Sequence, residues 1–391
     1  MKILSVNAGS SSLKFQMYEM PEEKVLISGT FERIGIGGGM YTIKINGEKI
    51  KKEQELADHS VAVKILIDEL FANNVIESLD EIKGVGHRIV HGGEKYAKSV
   101  VIDDDVIKTV TELSDLAPLH NPANLIGVKT FMESIPNAIQ VGCFDTAFHQ
   151  TMEKCEFLYP VPYEWYTEYG VRKYGFHGMS HNYIAKRAGE ILGNPNAKII
   201  SCHIGNGGSL CAIADGKSID TSMGFTPNAG LMMGSRSGDI DSTLIPFIMN
   251  KTGKSLDEVI NDLNKKSGYL GVSGISSDSR DIEDAAAEGN ERAILAQNMY
   301  YEKIVNYIAE YYLELGGADA IVFTAGVGEN SKLTRKAICD KLAPLGVKLD
   351  EEANNVRGEE KLISAPDSTV KVYVIPTDEE VMIARDTYSF I

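Results

Sequence analysis

Two arginines stand in settings suited to anion chemistry. Arg88 lies in HRIVHGG (87–93), at the end of an apolar run, and Arg236 in GSRSGD (234–239), a loop too rich in glycine and hydroxyls to be helical. A guanidinium fork matches a carboxylate or a phosphate, and two of them would neutralise a phosphoryl group in transfer. His120 in PLHNP (118–122) and His177 in YGFHG (174–178) occupy loops beside apolar neighbours, where an imidazole can donate to an oxygen that gains charge. Asp145 follows an apolar strand pattern and Glu379 falls in the first turn of a helical one, positions at which carboxylates hold Mg²⁺ in phosphoryl-transfer sites. Each has a structural alternative: a surface ion pair for the arginines, a hydrogen-bonded interior for the histidines, a helix-dipole contact for Glu379. His87/His91 and His177/His181 have the i, i+4 spacing of a helical zinc site, but Gly92, Gly93 and Gly178 argue against such a zinc site.

Phosphate also needs hydrogen-bond donors. In KILSVNAGSSSLKF (2–15) an apolar strand breaks into an amide, a glycine and three serines before turning apolar again, giving a donor-rich turn with Lys14 beside it. KIISCHIGNGGSLCAI (198–213) repeats the pattern: Lys2, Ile3, Ser5 and Gly9 recur as Lys198, Ile199, Ser201 and Gly205, and Ser12-Leu13 as Ser209-Leu210 after a one-residue insertion. The repetition predicts two similar domains, each offering a hairpin to a ligand in the cleft between them. A strand over 320–324 runs into AGVGENS (325–331), whose small residues allow a ligand close to the backbone at a helix start. Neither GxxxxGK[ST] nor a complete GxGxxG occurs, so P-loop, Rossmann and protein-kinase readings lose their main support.

A chain of 391 residues, 43% hydrophobic and 24% charged, is long enough for two globular domains. Its net charge of -16 argues against a nucleic-acid partner and leaves room for local basic sites that take small anions. With 5 cysteines in no ligand spacing and no apolar segment of bilayer length, a reduced, cytoplasmic protein without a membrane partner is expected. Periodicity predicts a three-stranded antiparallel start through 25–33 and 40–45, a helix over 59–73 and a strand over 84–90. Helices over 102–116 and 124–134 then flank a loop at 118–122, and a strand spans 138–144. In the second half a hairpin over 198–204 and 210–215 precedes strands over 320–324 and 370–375. Helix 291–315, with apolar Ile294, Leu295, Met299, Ile304, Val305 and Ile308, stops at Gly316-Gly317. TDEE (377–380) opens a last helix with a capping-box pattern, placed to return to the N-terminal domain.

Taken in chain order, NAGSSSLKF, GHRIVHGG, APLHNPAN, CFDTAFH, YGFHGMSH, HIGNGGS, TPNAGLMMGSRSGDID, DSRD, FTAGVGENS and TDEE closely resemble the acetate kinase family. The resemblance covers the whole chain, and these segments fall in register without departure. It implies the α/β fold of the acetate and sugar kinase/Hsc70/actin superfamily: two duplicated ribonuclease H-like domains, 1–149 plus 380–391 and 150–379, with mixed sheets flanked by helices. ATP would sit in the cleft, and the second domain would pair two chains in a homodimer. Carried over by motif, Asn7 and Glu379 would hold Mg²⁺, with Mn²⁺ as an alternative ion. Ser10, Ser12 and Lys14 would contact phosphates, and His203, Ile204, Gly205, Asn206 and Gly207 would form the other phosphate loop. Asp278, Ser279 and Arg280, with Gly326, Val327, Gly328, Glu329 and Asn330, resemble the adenosine site. Arg88 would hold the substrate carboxylate, His177 and Arg236 would stabilise the transition state, and Asp145 would be the catalytic acid residue. Val90, Leu119, Phe176 and Pro227 would line the pocket for the acetate methyl, with His120 beside the substrate.

Acetate has a pKa close to that of a glutamate side chain, about 4.3, so at neutral pH it arrives as the nucleophile and needs no general base. Asp145 is therefore expected to orient an arginine or a metal-bound water. A sugar kinase of the same fold would need a base and polar sugar contacts, and an actin- or Hsp70-like ATPase switch would need insertions or a further domain. A propionate or butyrate kinase is the nearest rival, because one methylene is worth only about 1–3 kcal/mol of discrimination.

Overall fold

The computed structural model describes every residue of the chain except Leu119. The chain divides into two compact units, Met1–Phe148 with Asp378–Ile391, and His149–Thr377. The expected boundary at 379/380 falls inside the terminal helix Glu379–Tyr388, which belongs wholly to the first unit.

The first unit is built on an eight-stranded sheet. Its strands are β1 (Lys2–Ala8), β2 (Ser12–Glu19), β3 (Lys24–Glu32), β4 (Met40–Ile45), β5 (Glu48–Glu53), β6 (Ile82–Ile89), β7 (Val100–Val101) and β8 (Ile139–Phe144). Their order is β5-β4-β3-β2-β1-β6-β8-β7, with β1, β6 and β8 parallel and the rest antiparallel. The antiparallel start has five strands rather than three. The lysine-rich β5, almost without apolar residues, carries no burial signal and is held by its ladder to β4. Helices His59–Ala72 and Asn121–Ser134 contribute Val63, Leu66, Leu70 and Phe131 to one core with Leu4, Val6, Phe15 and Val85. The loop expected at 118–122 is shorter, because Pro122 at the start of the second helix needs no N–H partner there and preorganises it. The helix expected over 102–116 is a regular helix only from Asp104 to Glu112, capped by Asp103, and then tightens to a 3₁₀ turn. The terminal helix packs so closely on β6 that a Cβ on Gly84 would lie 2.6 Å from Thr387 Cγ2, and one on Gly86 would strike Ile383 and Thr387. Asp378 caps this helix by accepting from Val381 N at 2.9 Å, in place of the expected Thr377 box.

The second unit carries β9 (Ile199–Ile204), β10 (Gly208–Ala214), β11 (Lys217–Thr221), β12 (Ala320–Thr324), β13 (Lys361–Leu362) and β14 (Lys371–Val374) in the order β11-β10-β9-β12-β14-β13. The run β11-β10-β9-β12-β14 repeats β3-β2-β1-β6-β8 strand for strand, two antiparallel pairings followed by two parallel ones, so the repeat seen in the two hairpins extends to the sheets. Helix Glu291–Glu314 covers this sheet with Ala293, Ala296, Tyr300, Ile304, Ile308 and Tyr311. Only Ile304 and Ile308 of the expected apolar stripe are buried, because small and aromatic residues make the packed face; Ile294, Leu295 and Met299 stand exposed. Among the described residues no helix is long and apolar enough to cross a membrane.

Candidate active site

In the first unit the ends of β1, β6 and β8 bring three expected residues together. Arg88, the penultimate residue of β6, donates from Nε to Asp145 Oδ1 at 3.0 Å and from Nη2 to Oδ2, a bidentate pair in which the carboxylate is 1% exposed. Its Nη1 lies 3.4 Å from Asn7 Oδ1, and Nε lies 3.9 Å from Glu379 Oε2. Burial works against the guanidinium charge, but Asp145 and Glu379 outweigh it and raise its pKa. Burial pushes the Glu379 carboxyl up, Arg88 opposes this, and the adjacent Glu380 and Asp378 push it further. A partly buried acid among acids and a side-chain amide oxygen, both within 4 Å of the Arg88 guanidinium, are hard-oxygen donors of the kind Mg²⁺ takes, so the chemistry of Asn7 and Glu379 fits that ion. Lys14 is paired with Glu380, which partly neutralises the cation expected at the phosphates. Ser10 and Ser12 are exposed at the tip of the β1–β2 hairpin.

Two residues that sequence reasoning passed over hold the chain beyond Arg88. Asn124 accepts from Val90 N at 3.1 Å and donates to Ala8 O at 2.7 Å, while Asn121 accepts from His91 N and donates to His91 O, each at 3.1 Å. Both stand in APLHNPAN (117–124), the segment that supplied His120, and asparagines one residue before and two residues after Pro122 are the signal that could have found them. His120 precedes this helix half-buried, Val90 is buried, and Leu119 lies outside the described residues. His87 is on a strand, with Nε2 2.8 Å from Gln140 Oε1.

In the second unit a cavity of about 730 Å³ is lined by Gly205 and Asn206 after β9, by Asp278, Ser279 and Arg280, and by Gly326, Val327 and Asn330. Three segments distant in sequence thus share one hollow. Ser331 of AGVGENS also lines it, as do Gly234, Tyr269, Ser277, Glu283, Asp284 and Arg357, which were not foreseen as its lining. Asp278 caps helix Ser279–Ala287 and forks onto Arg280, which holds its carboxyl at about 2. The AGVGENS segment is a helix from Ala325, whose φ of 64° sets the turn off β12, to Asn330, and Glu329 accepts from Ala325 N at 2.7 Å and Thr377 N at 3.1 Å. The Glu329 carboxylate therefore ties the turn together, while the Gly326 position is open space. His203, Ile204, Gly207, Gly328 and Glu329 are not among the residues of the hollow; His203 and Ile204 are buried in β9.

Arg236 lies over Gly207, where a Cβ would sit 3.3 Å from Nη1. Among the described residues no carboxylate pairs with it, and burial alone lowers its pKa. His177 heads helix Gly178–Leu192 in the left-handed region at φ 56°, its ring stacked on His203 with centroids 4.0 Å apart. Gly178 is the first residue of that helix, so His177 stands at its cap and His181 inside it. Phe176 is buried beside His177, and Pro227 is half-buried. The one group of three acids spaced for a metal among the described residues, Glu156, Asp220 and Glu314, includes neither Asn7 nor Glu379, and Lys173 already pairs with Asp220.

Two duplicated α/β units, each ending its central strands in polar hairpins, and a hollow of nucleotide size define the class: a kinase of the actin-like superfamily. The chain belongs to the acetokinase family, whose profile matches residues 2–385. It is 58% identical over 387 residues to the acetate kinase of Geobacillus sp. (strain WCH70), covering 98% of both chains, and 57% identical over 387 residues to that of Bacillus subtilis (strain 168), again covering 98% of both. The crystal structure of Porphyromonas gingivalis acetate kinase matches with a TM-score of 0.94 at 48% identity over 99% of both chains. A propionate kinase from Francisella tularensis matches with a TM-score of 0.95 at 40% identity over 100% of both.

Proposed function

We propose that this chain is a cytoplasmic, homodimeric ATP:acetate phosphotransferase, which reversibly moves the γ-phosphoryl group of ATP to acetate and gives acetyl phosphate and ADP. The observation that carries the reading is the pair of arginine environments: one fork fixed by a buried carboxylate, the other half-buried with no carboxylate partner among the described residues, as suits a carboxylate anchor and a phosphoryl clamp. Acetate attacks in line as the carboxylate, with Arg88 orienting it and Asp145 holding Arg88. Arg236 and His177 take up charge on the equatorial oxygens, and the hollow at Asp278 and Gly326 takes the adenosine. Bound at Asn7 and Glu379, Mg²⁺ would add charge neutralisation on the phosphate oxygens. Exposed Leu244, Phe247, Ile248, Leu295 and Met299 supply apolar surface for a second copy.

Hydroxylamine trapping of an acyl phosphate from ATP and acetate tests the assignment; formation of a sugar phosphate alone sinks it. The 58% identity to the Geobacillus acetate kinase, against 40% to the Francisella propionate kinase, favours acetate. A kcat/KM series over formate, acetate, propionate and butyrate should peak at acetate, and a peak at propionate would reassign the pocket. Light scattering at micromolar concentration should give twice the chain mass, and the monomer mass would remove the dimer.

A further inference from the structure

Behind His177 runs a chain of hydrogen bonds that no catalytic role has yet absorbed. His177 Nδ1 lies 2.8 Å from Ser209 Oγ, the same oxygen lies 2.8 Å from His181 Nε2, and His181 Nδ1 lies 2.9 Å from Ser201 Oγ. Ser201, Ser209 and His181 are each 0% exposed, so no bulk water exchanges with these bonds. Ser201 and Ser209 sit on β9 and β10, His181 in the first turn of the helix that His177 heads, so sheet and helix both fix the spacing.

A hydroxyl has one proton and two lone pairs, so Ser209 donates to at most one of the two imidazoles: accepting from both would leave the His177 proton on Nδ1, and donating to one means accepting from the other. His181 is buried and its pKa is held well below 6.5, first by burial and then by neighbouring His149 and His203, so it is neutral with one N–H. Two polarities follow. In one, Ser201 donates to His181 Nδ1, His181 Nε2–H donates to Ser209, and Ser209 donates to His177 Nδ1, which leaves the His177 proton on Nε2. In the other every bond is reversed and the His177 proton sits on Nδ1. Only the first leaves the His177 proton on Nε2, the tautomer that donation from Nε2 to an oxygen requires. The adjacent His203 is set alike: Thr377 Oγ1 donates to Ser180 Oγ at 2.8 Å, leaving the Ser180 proton for His203 Nδ1 at 2.7 Å.

We propose that Ser209 and His181 are positioning residues that fix His177 as the Nδ1-acceptor, Nε2–H tautomer, so that it meets the transferring phosphoryl oxygen as a donor; this rests on the role given to His177 above. The test uses full-length enzyme labelled with ¹⁵N-histidine, in which protonated and bare ring nitrogens resonate far apart. Wild type is expected to show His177 protonated at Nε2. Ser209→Ala should convert it to a tautomer mixture and lower kcat about 10- to 100-fold, with KM for ATP and acetate nearly unchanged, and Ser209→Thr should restore both readouts. A wild-type ring protonated at Nδ1 overturns the proposal, and so does a Ser209→Ala enzyme with wild-type kcat and tautomer. The wild-type spectrum decides even if the alanine variant does not fold. The two readings separate through His177→Ala: unchanged kcat there removes the role of His177 itself, whereas a large loss there with none in Ser209→Ala removes only the chain behind it.

Discussion

Arg88 in the first unit is gripped along one edge of its guanidinium by the buried Asp145, with Asn7 and Glu379 within 4 Å, whereas Arg236 in the second unit rests on Gly207 and meets no carboxylate among the described residues. The same side chain is thus placed at a strand end with its charge answered and in a glycine-rich loop with its charge unanswered. An answered charge is held in place and costs less to bury than a bare one; an unanswered one raises the energy of the empty site and gains most when an anion arrives. The first suits holding a substrate in register, the second suits stabilising charge that exists only during transfer.

The contrast predicts different failures. Arg236→Ala should lower kcat by about 10³-fold with small changes in KM and stability, since no carboxylate is left unpaired; an unchanged kcat would end the proposed division of labour. Arg88→Ala should raise the KM for acetate and also destabilise the first unit by about 3 kcal/mol in urea unfolding, because Asp145 is left buried without its partner. Equal stability of the two arginine variants would contradict the comparison. Asp145→Asn keeps one acceptor for Arg88 and should raise the acetate KM about tenfold with a comparable fall in kcat; a fall near 10⁴-fold would mean that Asp145 moves a proton.

The smallest expected effect concerns a second unanswered group, the acids Glu156, Asp220 and Glu314 beside Lys173. Burial, then Asp220 and Glu156, raise the Glu314 carboxyl from 4.5 to about 7. The folded state holds that proton more tightly than the unfolded state, so stability is present below 4.5 and is lost as pH rises through about 7. Glu314→Gln should therefore raise the melting temperature at pH 8 and leave it unchanged at pH 4.5, and a rise at both would assign the gain to packing.

Much of this architecture was legible because it is local. β12 was bounded to the residue and the helix from Glu291 to within one, since apolar runs and glycine stops are written in consecutive positions. β5 escaped because a charged edge strand is made by its neighbour's ladder, and the buried face of Glu291–Glu314 was half legible: Ile304 and Ile308 meet the sheet, but small and aromatic residues take the places expected for Ile294, Leu295 and Met299.

By itself the sequence determined the repeated hairpin, the family and the candidate chemistry of Arg88, Arg236, His177 and Asp145, because residue type and spacing carry that information. Only the tertiary structure decided which arginine has its carboxylate, that Asn121 and Asn124 hold the backbone beyond Arg88, and that Ser209 joins His177 to His181. These depend on strands and helices far apart in sequence meeting within hydrogen-bond distance, and periodicity along one chain does not encode which side chains will meet.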